Sequence, residues 1–571
     1  MAEKADLVVR NAKIFTAAAG DGGSAVGFAV AGGRILAVAH ESSAELDAFV
    51  GTGTRVEDVG GAAVVPGLFD AHCHHIIGGA SLFPRLSFPA DAPLGDILAT
   101  VEAWTRQLPG GAWAVGGTWG STLLPEISTV GARRELDQVS HGHPVMLFDD
   151  THHNNWVNTE GLRLAGIPLK GDHERTEGTV VDQATGETVG VLLERAVIPV
   201  RKALEKVSSQ TDDDWVRFGE AAWRLYTSMG VTGLQEAVAE GKELRALRWL
   251  EKEGKLNGRV SCCLLFVGSL TPGAESASDL DRLAREVASD LIHTDWVKIH
   301  LDGVPPPRTA AFLEPYLPSE DCGPGHRGHV YIPHAELVEL MRGYASDGRS
   351  VKLHCTGDAS VRAALDAIEV LRGEGLCDVK FQIAHGQFVS EPDRPRMRDL
   401  DVIAEISPFI WYPGVISEAI AKILPAHRAA QIHPNRDLTD LGVLVAAGSD
   451  WPVSPEPNIW EGIAGLVTRA DPTGAFPGTL WPEQALTVAE ALRVFTINGA
   501  AATGMSDVAG SIEPGKSADF VVIDRDPLTV APAEIAHTRV LQTWFAGRRV
   551  YNAVAGHEAP NAKTANSDVL P

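Results

Sequence analysis

Cysteine is scarce in this chain. Only 6 occur among 571 residues, two of them adjacent (Cys262 and Cys263), and none has the spacing of a CxxC site or a disulfide framework. A reducing compartment, the cytoplasm, is the expected location. Positive charge is also in deficit, with 49 Lys and Arg against 74 Asp and Glu, a formal charge of −25. That acidity repels phosphate, which excludes nucleic acid as a partner and disfavours anionic membrane surfaces. No apolar run approaches the roughly 18 residues of a membrane span, and the opening MAEKADLVVR lacks the apolar core of a signal peptide. Internal repeats and low-complexity blocks are missing too. What is present is a globular composition, 44% hydrophobic and 22% charged, with ample material for large cores.

The texture changes along the chain. The first sixty residues are short apolar or alternating runs broken by glycine (DLVVRNAKIFT, AVGFAVAGGRILAVA), and a similar texture returns in GSIEPGKSADFVVIDRDP and VLQTWFAGRRVYNA. These read as strands, and residues 1–61 and 505–555 are expected to pair into one composite β-sandwich domain. Residues 556–571 read as a loose tail. Between the ends, eight short Val/Ile/Leu-rich runs alternate with helical patterns: AVVPGLFDAHCHH, GVTGLQEA, VSCCLLFVGS, DWVKIHLDG, SVKLHCTGD, FQIAHGQF, VIAEISPF and VLVAAGSDWPV. This is an α/β pattern, and eight such units predict a (β/α)8 TIM-like barrel over 62–504. The stretch from about 76 to 225 is too long for one barrel connection, so it is expected to hold an inserted subdomain.

Most of these strands end in a residue capable of chemistry. His72 and His74 are two apart and project to one side of the first strand. Lys298, His300 and Asp302 share a face on the fourth; His354, His385 and Asp450 end the fifth, sixth and eighth. The C-terminal strand ends of a barrel converge on one mouth, so histidines, an aspartate and a lysine would meet there. Imidazole and carboxylate are the ligands of zinc and similar divalent ions. A lone histidine is usually a satisfied core or loop residue; a set drawn from five strands in barrel order is a different matter. A protonated Lys298 has no lone pair to offer. It is either an ion-pair lysine or the site of a carbamate formed with carbon dioxide.

The runs PGLFDAHCH, VKIHLDG, HCTGDA, AHGQ, GSDWPV and GSIEPGKSADFVVID resemble the amidohydrolase superfamily, most closely its YtcJ-like branch with the N-substituted formamide deformylases. The resemblance covers nearly the whole chain. It implies that His72, His74 and Asp450 bind one metal, that His354 and His385 hold a second, and that a carboxylated Lys298 bridges them. HHNNWVNTEGLRLAGI is similar to the branch's histidine-then-WVN segment, which would bring His153 over the site as a contact for the substrate carbonyl. GTVVDQATGETVGVLLERA is similar to its lid segment, ending at Glu194. The seventh strand departs from the branch: it reads AEISPF where a Gln-Pro pair is usual, and Glu405 and Ser407 are expected to alter the pocket wall.

The expectation is a hydrolase with one or two divalent metals, most simply zinc, acting on a small apolar molecule. A metal lowers the pKa of water from 15.7 to about 7; Asp450 would take the proton and return it to the leaving group. The bond is expected to be a non-peptide C–N bond of an N-acyl, N-formyl or carbamate type, with a cyclic amide, an ester or lactone, or deamination as alternatives on the same site. A non-catalytic binding barrel is the reading from another class, and Asp450 argues against it. Asp302 and Arg308 would contact polar substrate atoms or close their loop. Among 13 tryptophans, Trp119, Trp156, Trp411 and Trp451 would line an aromatic pocket or serve in packing. GGTWGS lacks the full dinucleotide-binding spacing. A homodimer would suit the architecture.

Overall fold

The computed structural model describes residues 3–19, 24–171, 176–207, 210–265, 276–319, 322–410 and 412–553. The expected tail at 556–571, and Trp411, lie outside them. Eight parallel strands form one sheet in strict chain order: β1 (Leu68–Cys73), β2 (Val231–Ala239), β3 (Arg259–Leu264), β4 (Ile292–His300), β5 (Ser350–Cys355), β6 (Phe381–His385), β7 (Val402–Ile406) and β8 (Val445–Ala447). Strands β1, β3, β5, β6 and β7 are buried along their whole length, as expected when helices cover one face and the barrel interior the other. Among the described residues, no helix is long and apolar enough to cross a membrane.

The ring closes between β1 and the residues just after β8. The Asp450 N–H donates to the His72 carbonyl at 2.7 Å and the His74 N–H to the Trp451 carbonyl at 2.8 Å. Below them the buried Asp70 carboxylate accepts the Ser449 N–H (2.9 Å), the Ser449 hydroxyl (2.5 Å) and the Tyr226 hydroxyl (3.0 Å). Burial still pushes the Asp70 carboxyl up to about 6, with those hydrogen bonds opposing it. The seam is thus joined as much by side chains as by backbone.

Two helices flank β1 and β2. α1 (His75–Ala80) follows β1 directly, and α2 (Asp212–Ser228) precedes β2. α2 starts at Thr211, whose hydroxyl accepts the Asp214 N–H while the Asp214 carboxylate accepts the Thr211 N–H; three aspartates in its first turn favour that end of the helix dipole. α1 lies so close to α2 that a side chain at Gly79 would stand 2.0 Å from the Phe218 carbonyl oxygen. Both helices belong to the barrel shell. The insertion is therefore shorter than the 76–225 expected and lies between them. It carries a five-stranded sheet, residues 114–119, 145–149, 155–157, 179–181 and 188–192, over a core that includes Leu86, Trp119, Leu136 and Trp156.

The two chain ends meet in one sheet. Residues 63–66 pair antiparallel with 520–523, Val64 opposite Val522, inside a six-stranded sheet that faces a four-stranded one. Between them Phe28 meets Phe520 edge-on at 4.9 Å between ring centroids, and Trp544 stacks on Phe520 at 5.2 Å. Residues 63–66, expected to open the barrel, thus lie in the β-sandwich, and the barrel begins at Leu68. Arg259, at the start of β3, forms a buried ion pair with Asp519, which also accepts the Ser517 hydroxyl (2.7 Å) and the Ala546 N–H (2.8 Å). Arg259 lies over the Phe545 ring at 4.8 Å. Removing one partner strands the other charge in the interior. Asp519→Ala should lower unfolding free energy by about 3–5 kcal/mol in urea titrations, and a combined Arg259→Leu, Asp519→Leu variant should recover part of the loss.

Candidate metal centre

The inward face of β1 presents His72 to the mouth, and the turn into α1 presents His74. Both imidazole Nε2 atoms lie 3.5 Å from the same oxygen of Asp450. These three residues offer ligand atoms close enough together to hold one ion. His385 lies with its Nδ1 4.0 Å from the other Asp450 oxygen, and its ring is 4.6 Å from that of His72 and 4.8 Å from that of His354. Lys298 enters from β4, its Nζ 3.5 Å from His72 Nε2. The sequence-predicted residues His72, His74, Lys298, His354, His385 and Asp450 therefore meet at one end of the barrel.

The electrostatics fit a cation. Burial, reinforced by Lys352 and Lys298, drives His72 well below its usual pKa; burial does the same for His385 and lowers His354. These rings are neutral and keep a lone pair for a metal. Burial opposes protonation of His74 too, but Asp450 and Glu236 outweigh it and raise His74 to about 9. The carboxylates there draw a positive charge to the spot where an ion shared by His72, His74 and Asp450 would sit. Lys298 is pushed down to about 8, by burial first and then by Lys352, which enlarges the fraction present as the neutral amine.

Two carboxylates and a lysine support the candidate ligands from behind. Glu405 on β7, wholly buried, accepts from His72 Nδ1 at 2.6 Å and lies 3.6 Å from Lys352 Nζ. Lys352 also donates to the Ala71 carbonyl (2.8 Å) and to Gln235 (2.9 Å). Glu236 on β2 is 3.6 Å from His74 Nδ1 and 2.5 Å from His75 Nδ1. Such partners fix the ring orientation and tautomer of a ligating histidine.

His153 reaches the mouth from the insertion. Its Nδ1 lies 2.9 Å from Glu194 Oε2, and its ring is 5.1 Å from that of His354. Glu194 also accepts the Thr309 hydroxyl at 2.7 Å, tying the insertion to the loop after β4. Burial works against protonation of His153, yet Glu194 holds it above its usual pKa. Beside the polar cluster a cleft is walled by Val304, Pro305, Pro306, Ile410, Ile416 and Val453.

Five expected substrate contacts are placed elsewhere. Glu405 is under the centre and acts on His72, not on the pocket wall. Asp302 is buried, its carboxylate occupied by the N–H groups of Ala311, Thr356 and Gly357 and by the Ser360 hydroxyl. Arg308 donates to the Leu317 carbonyl and lies over Tyr316, closing its own loop. Trp119 is core of the insertion, its indole N–H on the Leu147 carbonyl at 3.2 Å. Trp451 is fully buried, packed on Gly78 and Tyr226. Glu236 and Lys352 were not anticipated; each is a charged residue inside an apolar strand, and Lys352 is two residues from His354 on the same face.

The amidohydrolase family matches residues 55–551. An N-substituted formamide deformylase of Arthrobacter pascens is 29% identical over 564 residues, 96% of this chain and 98% of the relative. YtcJ of Bacillus subtilis is 26% identical over 506 residues, 87% of this chain and 90% of that protein. A solved metal-dependent hydrolase of Pyrococcus horikoshii shares the fold, with a TM-score of 0.69 at 23% identity over 92% of this chain and 99% of its own. Glu405→Gln should weaken metal binding by about 10–100-fold, read as metal retained per chain after dialysis against graded chelator.

Proposed function

The chain belongs to the amidohydrolase family, and from that premise we propose that it is a metal-dependent hydrolase of a non-peptide C–N bond in a small N-acyl, N-formyl or carbamate-type molecule. One observation carries the reading. A carboxylate, Asp450, lies equidistant from two histidine ligands (3.5 Å to each) and borders an apolar-walled cleft. It can both ligate and move a proton beside the scissile bond. The name of the Arthrobacter pascens relative, a deformylase of N-substituted formamides, supports a C–N target.

His72, His74 and Asp450 would hold one divalent ion, with His385, His354 and Lys298 positioned for a second; zinc suits imidazole and carboxylate donors. The ion's contribution when bound is to acidify water and polarise the substrate carbonyl. Carbon dioxide adds to the neutral Lys298 amine, forming a carbamate with release of one proton. Asp450 accepts the proton of the attacking water and delivers it to the amide nitrogen, because an amide anion is too basic to leave unaided. His153 donates from Nε2 to the carbonyl oxygen as negative charge develops, and Glu194, on its other nitrogen, stabilises the protonated ring. The apolar wall takes the substrate's hydrocarbon portion and excludes water around it.

The test is turnover of N-formyl, N-acyl, carbamate and ester probes by protein of measured metal content. Chelator-sensitive release of amine from one C–N class is expected; release from esters alone would overturn the reading. Asp450→Asn should lower kcat by about 10²–10⁴-fold. Glu194→Gln should lower kcat by about 10²-fold, the scale of a lost oxyanion contact, with a smaller change in KM in the same steady-state assay.

A further inference from the structure

Most polar side chains of the cleft wall are engaged by neighbours within the protein. Thr151 donates to Asp149, and Thr356 donates to the Gly303 carbonyl at 2.6 Å. His153 is held by Glu194, His385 by the Ser407 hydroxyl at 3.2 Å, and His354 lies with Nδ1 3.4 Å from Asp302. Gln387 lines the same cleft and is 3% exposed, and its side-chain oxygen is buried with no hydrogen-bond partner among the described residues. Whichever way the amide is turned, it offers one acceptor oxygen and an N–H donor pair among apolar neighbours. An uncommitted amide oxygen is unfavourable in such a wall unless a ligand completes it.

Its position is fixed from behind. The chain leaves β6 through two residues in the left-handed region, His385 (φ 68°) and Gly386 (φ 47°), which turn it back across the mouth. The buried His433 then clamps the turn: its backbone N–H donates to the Gln387 carbonyl at 2.9 Å, and its ring Nε2 lies 2.6 Å from the His385 carbonyl. The metal ligand His385 and Gln387 are thereby held as one rigid unit, two residues apart. A binding group this close to the reacting centre, and this rigid, is preorganised.

Resting on the C–N reading above, we propose that Gln387 is the contact that selects substrates carrying an N–H at the scissile bond, its side-chain oxygen accepting that N–H. An ester presents oxygen lone pairs at the same place, where the Gln387 oxygen repels them. The discrimination thus comes from an attraction for one class and a repulsion for the other. The substrate class is a secondary amide or N-monosubstituted carbamate.

Gln387→Met keeps volume and removes both polar ends. Metal-loaded wild type and variant would be compared on N-phenylformamide against phenyl formate, and on N-phenylacetamide against phenyl acetate, pairs that differ only in N–H or O. The amide-to-ester ratio of kcat/KM should fall about tenfold in the variant, through a loss on the amide and a gain on the ester. Because the amide oxygen has no internal partner to lose, Tm should hold or rise. Equal losses on amide and ester, or a marked drop in Tm, would overturn the proposal and make Gln387 a structural residue. Absence of amine release from every amide by metal-loaded wild type would instead overturn the C–N reading, and this proposal with it.

Discussion

The hydrogen bond between Glu405 and His72 is the interaction on which the site depends. It places a carboxylate in the wholly buried floor of the barrel, a cost offset by the nearby lysines and by hydrogen bonds from His72 and the His385 N–H. Burial raises the Glu405 carboxyl to about 7 even with Lys352 and Lys298 pulling it down. Those lysines are opposite one another on β4 and β5, and their positive field adds to burial in keeping His72 neutral. The floor is thus a balanced set of charges whose net effect is to present unprotonated imidazole to the mouth.

Much of this was legible in the sequence because strand geometry is periodic. Alternate residues of a strand share a face, so the ligand-ending strands in order implied a common mouth without knowledge of any distance; His74 lies one residue past its strand and reaches the mouth from the turn into α1. The apolar runs gave the barrel strands for the same reason. Supporting residues were harder to read. Glu405 was noticed as a departure but assigned to the pocket wall, because the sequence gives no depth along a strand. It lies two residues before Ser407 and is directed under the cluster instead of beyond it.

Loops and tryptophans misled for a different reason. Asp302 follows Lys298 and His300 at alternate positions, yet the chain leaves the strand after His300 and the carboxylate turns to gather the N–H groups of two neighbouring loops. Period-two reasoning stops where the strand stops. Trp119 and Trp451 have the size for an aromatic pocket, but size is also what fills a core, and only packing distinguishes the two. The boundary of the insertion differs for a related reason: α1 and α2 have no sequence mark that assigns them to the barrel, and their attachment rests on Ile76, Trp223 and Tyr226, which pack in one core with Leu68, Leu234 and Val260 of the barrel strands.

The seam between the first and last barrel strands brings together residues as much as 379 positions apart, Asp70 and Ser449. Contacts of that span carry the largest loop-closure cost and form late. His72 and Asp450, one on each side of the seam, come within reach of a common ion only when the ring is complete. The topology therefore orders events during biosynthesis: in an unfinished barrel His72 and Asp450 are apart, so an ion that they would share could be captured only once the ring is complete, and would then help to hold it shut.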